Sequence, residues 1–170
     1  AVANFDRMDN SENYFAYDLS VNTLNSLPQN AILFTSGDND TFPLWYLKEC
    51  EAIRPDVTIL NIPLLNTGWF VEHLKIAEPD LPLDLSAEEI ADLAPLTWAG
   101  DTVAFPVQGT NTDFNLPDSI VIPDTLRVYI EPTLQDQYLY VSDQVILNIL
   151  EANRWRRPIC VGTCVGGNWL

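Results

Sequence analysis

Two carboxylates two positions apart, Asp38 and Asp40, are the residues whose type and spacing could most readily support chemistry. With Asn39 between them they form an Asp-x-Asp triplet, and two carboxylates on a tight loop can bind a hard cation such as Mg²⁺, Mn²⁺ or Ca²⁺. Nucleotide-sugar transferases often hold a metal ion against a diphosphate with such a triplet. The alternative is structural: Asp40 caps the following helix and Asp38 orders the turn. A metal site at Asp38 and Asp40 and a helix cap therefore both stay open.

Aromatic and amide side chains nearby form a second group of candidates. Trp45, Tyr46 and Trp69 could stack on a sugar or a peptide. Asn66 and Thr67 could hydrogen-bond the same ligand. Aromatic residues at helical spacing belong more often to the core, and that alternative also stays open. The candidate ligand-binding residues are Asp38, Asn39, Asp40, Thr41, Trp45, Asn66, Thr67 and Trp69.

The segments around these residues predict the first half of a βαβ unit. Residues 31–35 are an apolar run typical of a buried strand, a Ser-Gly break follows, and residues 43–53 have the pattern of an amphipathic helix, with Asp40 or Thr41 as its cap. Residues 57–62 predict a second strand. Two strands joined by one helix should be parallel, so the two polar turns at their carboxyl ends should lie side by side, where α/β proteins usually bind ligands.

The remaining pattern predicts an α/β fold: a three-layer, Rossmann-like domain with a mainly parallel sheet and a small irregular or β insertion at about residues 78–124. The last strand, residues 159–165, is expected in the same parallel sheet. The other predicted helices are residues 11–27, capped by Ser11, residues 69–76, residues 86–93, opened by a capping box at Ser86, and residues 143–153, capped by Ser142. The other predicted strands are residues 102–107, 126–130 and 138–141, and residues 109–117 are expected to form a surface excursion.

The composition argues against several classes of function. The chain has 170 residues, with 24 acidic and 8 basic side chains and a formal net charge of −16. A field of that sign repels nucleic-acid phosphates and anionic membrane surfaces, so we expect no nucleic-acid partner. The hydrophobic content of 47% suffices for one core, which predicts a single domain over residues 1–170.

The cysteines, the single histidine and the basic cluster have structural interpretations. Cys160 and Cys164 lie in one predicted strand, with Cα atoms roughly 13 Å apart, too far for a disulfide. Together with Cys50, placed on the inner face of its helix, they are expected to be buried free thiols. His73 is expected at the surface. The basic residues Arg154, Arg156 and Arg157 are expected to pair with carboxylates of the same chain.

The two ends of the chain suggest a piece of a longer protein. The sequence starts with Ala1 rather than methionine and stops at Leu170 without a closing element. We therefore expect that the missing parts contain the membrane segments or the chemistry.

The run NAILFTSGDNDTFPLWYLKECEAIRPDVTILNIPLLNTGWFVEHLK, residues 30–75, resembles a hallmark segment of the bacterial protein O-mannosyltransferase-like membrane family, which is frequent in Bacteroidetes. Residues 6–14, the LPLDL at residues 81–85 and the YLYVSDQVILNILEANRWRRPI at residues 138–159 resemble the same family. Residues 100–124 match nothing in it.

The resemblance implies a type C glycosyltransferase whose membrane module takes mannose from a lipid-phosphate donor and contains the catalytic acids. This chain would be the C-terminal soluble region, on the periplasmic or extracellular face and tethered to the inner membrane, with no catalytic residue of its own. Its expected partners are the transmembrane module and an acceptor polypeptide or glycan. No cofactor is expected, with a divalent cation (Mg²⁺, Mn²⁺ or Ca²⁺) as the open alternative. The alternatives are a metal-dependent sugar-phosphate-binding enzyme domain that uses residues 38–40, and a purely structural domain.

Overall fold

The fold is built on a short parallel sheet. The structure is a computed structural model, which describes residues 9, 11–109 and 117–163. The helices are α1 (Phe15–Ser26), α2 (Asp38–Glu51), a 3₁₀ turn (Leu64–Asn66), α3 (Gly68–Ala77), α4 (Ala87–Ala91) and α5 (Val141–Asn153). The strands are β1 (Ile32–Thr35), β2 (Thr58–Asn61), β3 (Leu96–Thr97), β4 (Asp101–Pro106), β5 (Thr125–Ile130), β6 (Tyr138–Leu139) and β7 (Ile159–Val161). Residues 6–8 and 10, residues 110–116 of the expected excursion, and Cys164 with the end of its strand lie outside the described residues.

The central sheet has the order β2-β1-β7, and both pairs are parallel. Ile32 of β1 is in register with Thr58 on one side and with Ile159 on the other. The prediction of an α/β fold with a parallel sheet is therefore confirmed, including the place of the last strand. Two antiparallel pairs, β3 with β6 and β4 with β5, accompany this sheet.

Successive residues of the buried central strand point to opposite faces of the sheet, and each face has its own core. Ile32 and Phe34 pack in one cluster, which α3 and α5 cover. Leu33 packs in the other, which α1 and α2 cover. Helices on both faces of a parallel sheet give the three layers that the sequence predicts. The helix residues buried in these clusters are Phe70, Val71, Leu74, Val145 and Ile149 on the first face, and Leu24, Leu44 and Leu47 on the second.

Helix α2 begins five residues before its predicted start, so residues 38–40 form its first turn rather than a loop. Gly37 is extended and serves as the N-cap, and the Asp40 carboxylate accepts a hydrogen bond from the Gly37 N–H at 2.8 Å. Pro43, the predicted start, lies inside the helix. Its missing N–H would have bonded the Asn39 carbonyl, and this loss is tolerated because Asn39 is exposed to water.

The predicted helix caps at Ser11 and Ser142 are wrong. Helix α1 begins after Tyr14 without a side-chain cap, so Ser11 lies too far upstream to cap it. Helix α5 begins after Tyr140, whose N–H donates to the Asp143 carboxylate at 3.1 Å, and Ser142 is already helical. The capping box at Ser86 is present as predicted, with Ser86 and Glu89 each accepting the other's backbone N–H.

The expectations for the thiols and cations are corrected in part. Cys50 is exposed on α2 rather than buried, whereas Cys160 is half-buried, and burial raises the pKa of its thiol. His73 is exposed, as predicted. Arg157 is buried and donates to backbone carbonyls and a threonine hydroxyl rather than to carboxylates. None of the helices in the described part of the chain is long and apolar enough to cross a membrane.

Candidate functional site

The carboxyl ends of β1 and β2 are joined by a buried polar network. Thr35, Thr41 and Asn61 are each at most 1% exposed. The hydroxyls of Thr35 and Thr41 lie 2.7 Å apart, and the Asn61 amide donates to Thr41 Oγ1 at 2.9 Å. The Thr41 hydroxyl also donates to the Gly37 carbonyl at 2.6 Å. This network fixes the start of α2 on the sheet, and Thr41, a predicted ligand contact, lies beneath the surface as part of it.

Asp38 and Asp40 point in different directions because both lie in a helix. Successive helical residues are rotated by about 100°, so positions two apart differ by about 200°. Asp38 and Asn39 are exposed, whereas Asp40 is half-buried and has one oxygen bound to the Gly37 N–H. No cluster of three or more His, Cys, Asp or Glu side chains that could hold a metal ion occurs in residues 9, 11–109 and 117–163. This geometry does not favour one ion shared by the two carboxylates.

The second oxygen of Asp40, Oδ2, is buried and has no hydrogen-bond partner among the described residues. Asp40 lines a cavity of about 30 Å³ between α1, the start of α2 and the end of β7. The other polar residues around this cavity are Ser20, Thr23, Thr35, Asn39 and Thr163. A side chain at Gly162 would enter this space, since a Cβ there would lie 3.2 Å from Asp40 Oδ2.

The second polar turn lies beside the first, as predicted, but its side chains are largely used in the fold. Asn66 Oδ1 accepts the Ser142 backbone N–H at 3.0 Å, which joins the turn to α5. The Thr67 hydroxyl donates to the Leu64 carbonyl at 2.7 Å. Asn66 itself remains exposed, and its amide nitrogen donates a long hydrogen bond to the Pro63 carbonyl at 3.4 Å, which leaves its second N–H for a ligand.

Four rings form a continuous row from α2 to α3, which we call the aromatic row: Phe42, Trp45, Phe70 and Trp69. Neighbouring ring centroids lie 5.7, 6.1 and 5.6 Å apart in that order. The inner rings are buried or half-buried, and Trp45 Nε1 donates to the Ile59 carbonyl at 3.2 Å. The outer rings are exposed, Phe42 by 51% and Trp69 by 62%. Such a row is rigid in the middle and offers two apolar faces to solvent.

A polar residue precedes each exposed ring of the aromatic row in the chain. Asp38 precedes Phe42 by four positions in α2, so the two residues share a face of that helix. Asn66 stands three positions before Trp69, just ahead of α3. Exposed rings flanked by a carboxylate and an amide suit a ligand with apolar faces and hydroxyl edges, which is the chemistry of a sugar.

Sequence reasoning identified Trp45 and Trp69 but missed Phe42 and Phe70. Phe42 lies three positions before Trp45, which is a helical spacing, but the predicted helix began only at residue 43. Phe70 is buried beside the exposed Trp69, and their ring planes make an angle of 73°. A helix start at Gly37 would have placed Phe42 on the face of Asp38 and Trp45.

One buried acid near this edge was also not anticipated. Asp143, in the first turn of α5, is 7% exposed and accepts hydrogen bonds from the Tyr140 N–H and the Thr133 hydroxyl. Burial raises the pKa of this carboxyl, and the two hydrogen bonds act in the opposite direction. The acid therefore serves the helix start rather than an exposed site.

Comparison with known proteins gives matches in the part of the chain that contains the site. Residues 16–93, which include all eight candidate residues, match the family model of TMEM260-associated domain 2. A protein O-mannosyl-transferase tmem260 from Dictyostelium discoideum is 39% identical over 67 residues, 39% of this chain and 8% of the relative. A protein O-mannosyl-transferase TMEM260 from Mus musculus is 32% identical over 72 residues, 42% of this chain and 10% of the relative.

These matches support an O-mannosyltransferase-associated domain in the first half of the chain. The alignments span a tenth or less of the length of these relatives. No solved structure is significantly similar to the chain. The bacterial family and the Bacteroidetes source expected from the sequence stay predictions.

Proposed function

We propose that this chain is a non-catalytic accessory domain of a membrane-bound, glycosyltransferase-like protein, and that its aromatic row binds the carbohydrate of a mannosylated acceptor. The observation that carries the proposal is the aromatic row itself, with two exposed rings on a rigid inner pair. Asp38 would accept hydrogen bonds from sugar hydroxyls, and Asn66 would donate hydrogen bonds to them.

The comparisons support the setting of this proposal. The matched relatives are named protein O-mannosyl-transferases, and the matching segments are a small part of them, so transfer chemistry would lie elsewhere in a longer protein. In this proposal the domain lies on the periplasmic or extracellular face, tethered to a transmembrane module. Mannose on an acceptor is then the carbohydrate that it meets.

The expected affinity is low. A sugar that covers about 100 Å² of apolar ring surface gains roughly 2.5 kcal/mol before the costs of association are subtracted. A free energy of this size corresponds to a Kd on the order of 10 mM for a single mannose. Low affinity at each contact suits a domain that samples acceptors without retaining them.

The test is a calorimetric titration with methyl α-mannoside and a mannose disaccharide. Trp69→Ala and Phe42→Ala each remove an exposed ring and should weaken binding about fivefold or more, equivalent to ~1 kcal/mol. Phe15→Ala on α1 and Ile76→Ala on α3 are the matched controls, because these side chains are exposed by 73% and 82% and lie outside the row. They should leave the affinity unchanged.

Two outcomes would contradict the proposal. One is no saturable binding of either sugar at about 200 mM, well above the expected Kd. The other is equal weakening in the row variants and the controls. If unmodified peptides bind the row as tightly as the sugars do, the row recognises polypeptide and the carbohydrate assignment is wrong.

A second candidate function is divalent-cation binding by residues 38–40, in a sugar-phosphate-binding enzyme domain. The observation that favours it is the buried Oδ2 of Asp40 beside its cavity. The test is thermal unfolding with increasing Mg²⁺, Mn²⁺ or Ca²⁺, since an ion that binds the folded state raises Tm by mass action. A saturable rise that Asp40→Ala abolishes and Asp84→Ala retains would establish the site. No rise with any of these ions would leave both acids as helix-start residues.

A further inference from the structure

An open groove of about 920 Å³ lies between α4, β3 and the first turn of α5, away from the eight candidate residues. We call it the α4 groove. Leu93 and Leu96 are apolar residues of its lining, and Leu96 is largely exposed. Gln144 of α5 closes one side, where its amide donates to the Ala94 carbonyl at 2.8 Å. The groove is therefore wide, accessible and partly apolar.

One edge of the groove is a strand with no outer neighbour among the described residues. β3 pairs only with β6, with Leu96 opposite Leu139 and Thr97 opposite Tyr138. The Trp98 N–H donates to the Gln137 carbonyl at 2.8 Å. Because antiparallel partners alternate between bonded and non-bonded pairs, Thr97 directs its backbone N–H and C=O away from β6. Thr97 also lines the groove, so these groups lie at its edge.

The other edge of this small sheet is already occupied. The Tyr138 N–H donates to the Leu134 carbonyl at 3.0 Å, and the Leu134 N–H donates back to Tyr138 at 2.9 Å. A strand that joins the sheet must therefore come to the side of β3. An exposed strand edge is a ready template for pairing with another chain.

The α4 groove is acidic. Glu88, Glu89 and Asp92 line it on one side. One ammonium group lies nearby. Lys75 donates a hydrogen bond to the Leu85 carbonyl, and the positive charge of Lys75 attracts the Glu89 carboxylate. Three carboxylates against one ammonium leave the groove negative, in a chain with a net charge of −16. The complementary partner is cationic.

We propose that the α4 groove binds an extended, lysine- or arginine-rich polypeptide segment, which adds as a strand to the outer edge of β3. Main-chain hydrogen bonds to Thr97 hold the segment in place. Alternate side chains then face the leucines of the lining and the carboxylates of Glu88 and Asp92. This is a polypeptide site on a second surface, it goes beyond the carbohydrate proposal, and it does not rest on it.

The experiment uses a fluorescent peptide of about eight residues that alternates lysine and valine, a length typical of one strand. Anisotropy titrations compare it with the peptide in which glutamate replaces lysine. The wild-type chain should bind the lysine peptide and not the glutamate peptide. Thr97→Pro removes the outward N–H without removing a bond of the β3–β6 pair, and it should weaken binding about tenfold.

The charge contribution is tested by Glu88→Gln/Asp92→Gln, which should weaken binding about three- to tenfold, because exposed ion pairs contribute modestly. Glu12→Gln/Glu151→Gln is the control with the same change of net charge at two exposed positions outside the groove. It should change the affinity less than twofold.

Equal weakening by the groove pair and the control pair would overturn the proposal, because binding would then follow net charge alone. Unchanged binding by a folded Thr97→Pro variant would overturn strand addition. Should that variant unfold, hydrogen exchange of the Thr97 amide in the wild-type chain decides: bound peptide must slow it, and no slowing rejects the proposal.

Discussion

At the scale of single residues, Arg157 is the side chain whose role differs most from its predicted one. Its guanidinium donates to the carbonyls of Asn30 at 3.0 Å and Asp80 at 3.2 Å, and to the Thr58 hydroxyl at 2.9 Å. Burial lowers the pKa of the guanidinium, but an arginine remains charged at neutral pH. The residue ties the amino ends of β1 and β2 to the segment after α3.

This role could not be predicted from the sequence. Three arginines close together in an acidic chain suggest ion pairs, because carboxylates are the partners visible in a sequence. The backbone carbonyls that lack a partner are determined by where the strands end and where the loops run, and both are properties of the fold.

Arg157→Lys should lower the free energy of unfolding by roughly 2 kcal/mol, because an ammonium cannot reach several fixed acceptors at once and leaves buried carbonyls without donors. Arg156→Lys is the matched control. Arg156 is exposed and donates one long bond to the Ala152 carbonyl at 3.3 Å, so its change should stay within about 0.5 kcal/mol. Urea unfolding measures both, and equal effects would contradict this role.

At the scale of elements, the strands other than β3 were predicted closely, whereas the starts of α1, α2 and α5 were not. The apolar runs of β1 and β2 are short, bounded by turn residues and buried on both faces, which leaves little choice of structure. Helix starts depend on competing polar groups. At α2, Gly37 lacks a capping side chain and Pro43 suggested a later start, so three residues predicted as a loop are helical. Because these residues are helical, Asp38 and Asp40 point in different directions, and Phe42 lies on the same face of α2 as Trp45.

The start of α5 gives a direct test of how these helices are capped. Asp143→Ala should lower the free energy of unfolding by about 1 kcal/mol or more, because it removes the acceptor of the Tyr140 N–H and of the Thr133 hydroxyl. Ser142→Ala should have little effect or stabilise slightly, since the buried Ser142 Oγ has no partner among the described residues. A larger loss in Ser142→Ala, measured by thermal or urea unfolding, would restore Ser142 as the cap.

At the scale of the whole molecule, a parallel sheet with helices on both faces presents an aromatic row on α2 and α3 and an acidic groove on α4 and β3. The sequence predicted the sheet, the layers and the neighbouring polar turns, because periodicity and crossover rules constrain them. It did not predict the groove, because β3 pairs with β6 some 40 residues later in the chain and short strands carry a weak local pattern. Both proposed sites lie on exposed surfaces of a scaffold whose core is apolar.

The measurement that tests the central claim most directly is a two-dimensional NMR titration of the indole N–H signals with an O-mannosylated peptide and with the same peptide lacking mannose. Binding at the aromatic row predicts that the mannosylated peptide shifts Trp69 most and Trp45 next, that Trp155 stays unchanged, and that removal of mannose abolishes the Trp69 shift. A Trp69 signal that does not move, or that moves equally with the unmodified peptide, would contradict carbohydrate recognition by this domain.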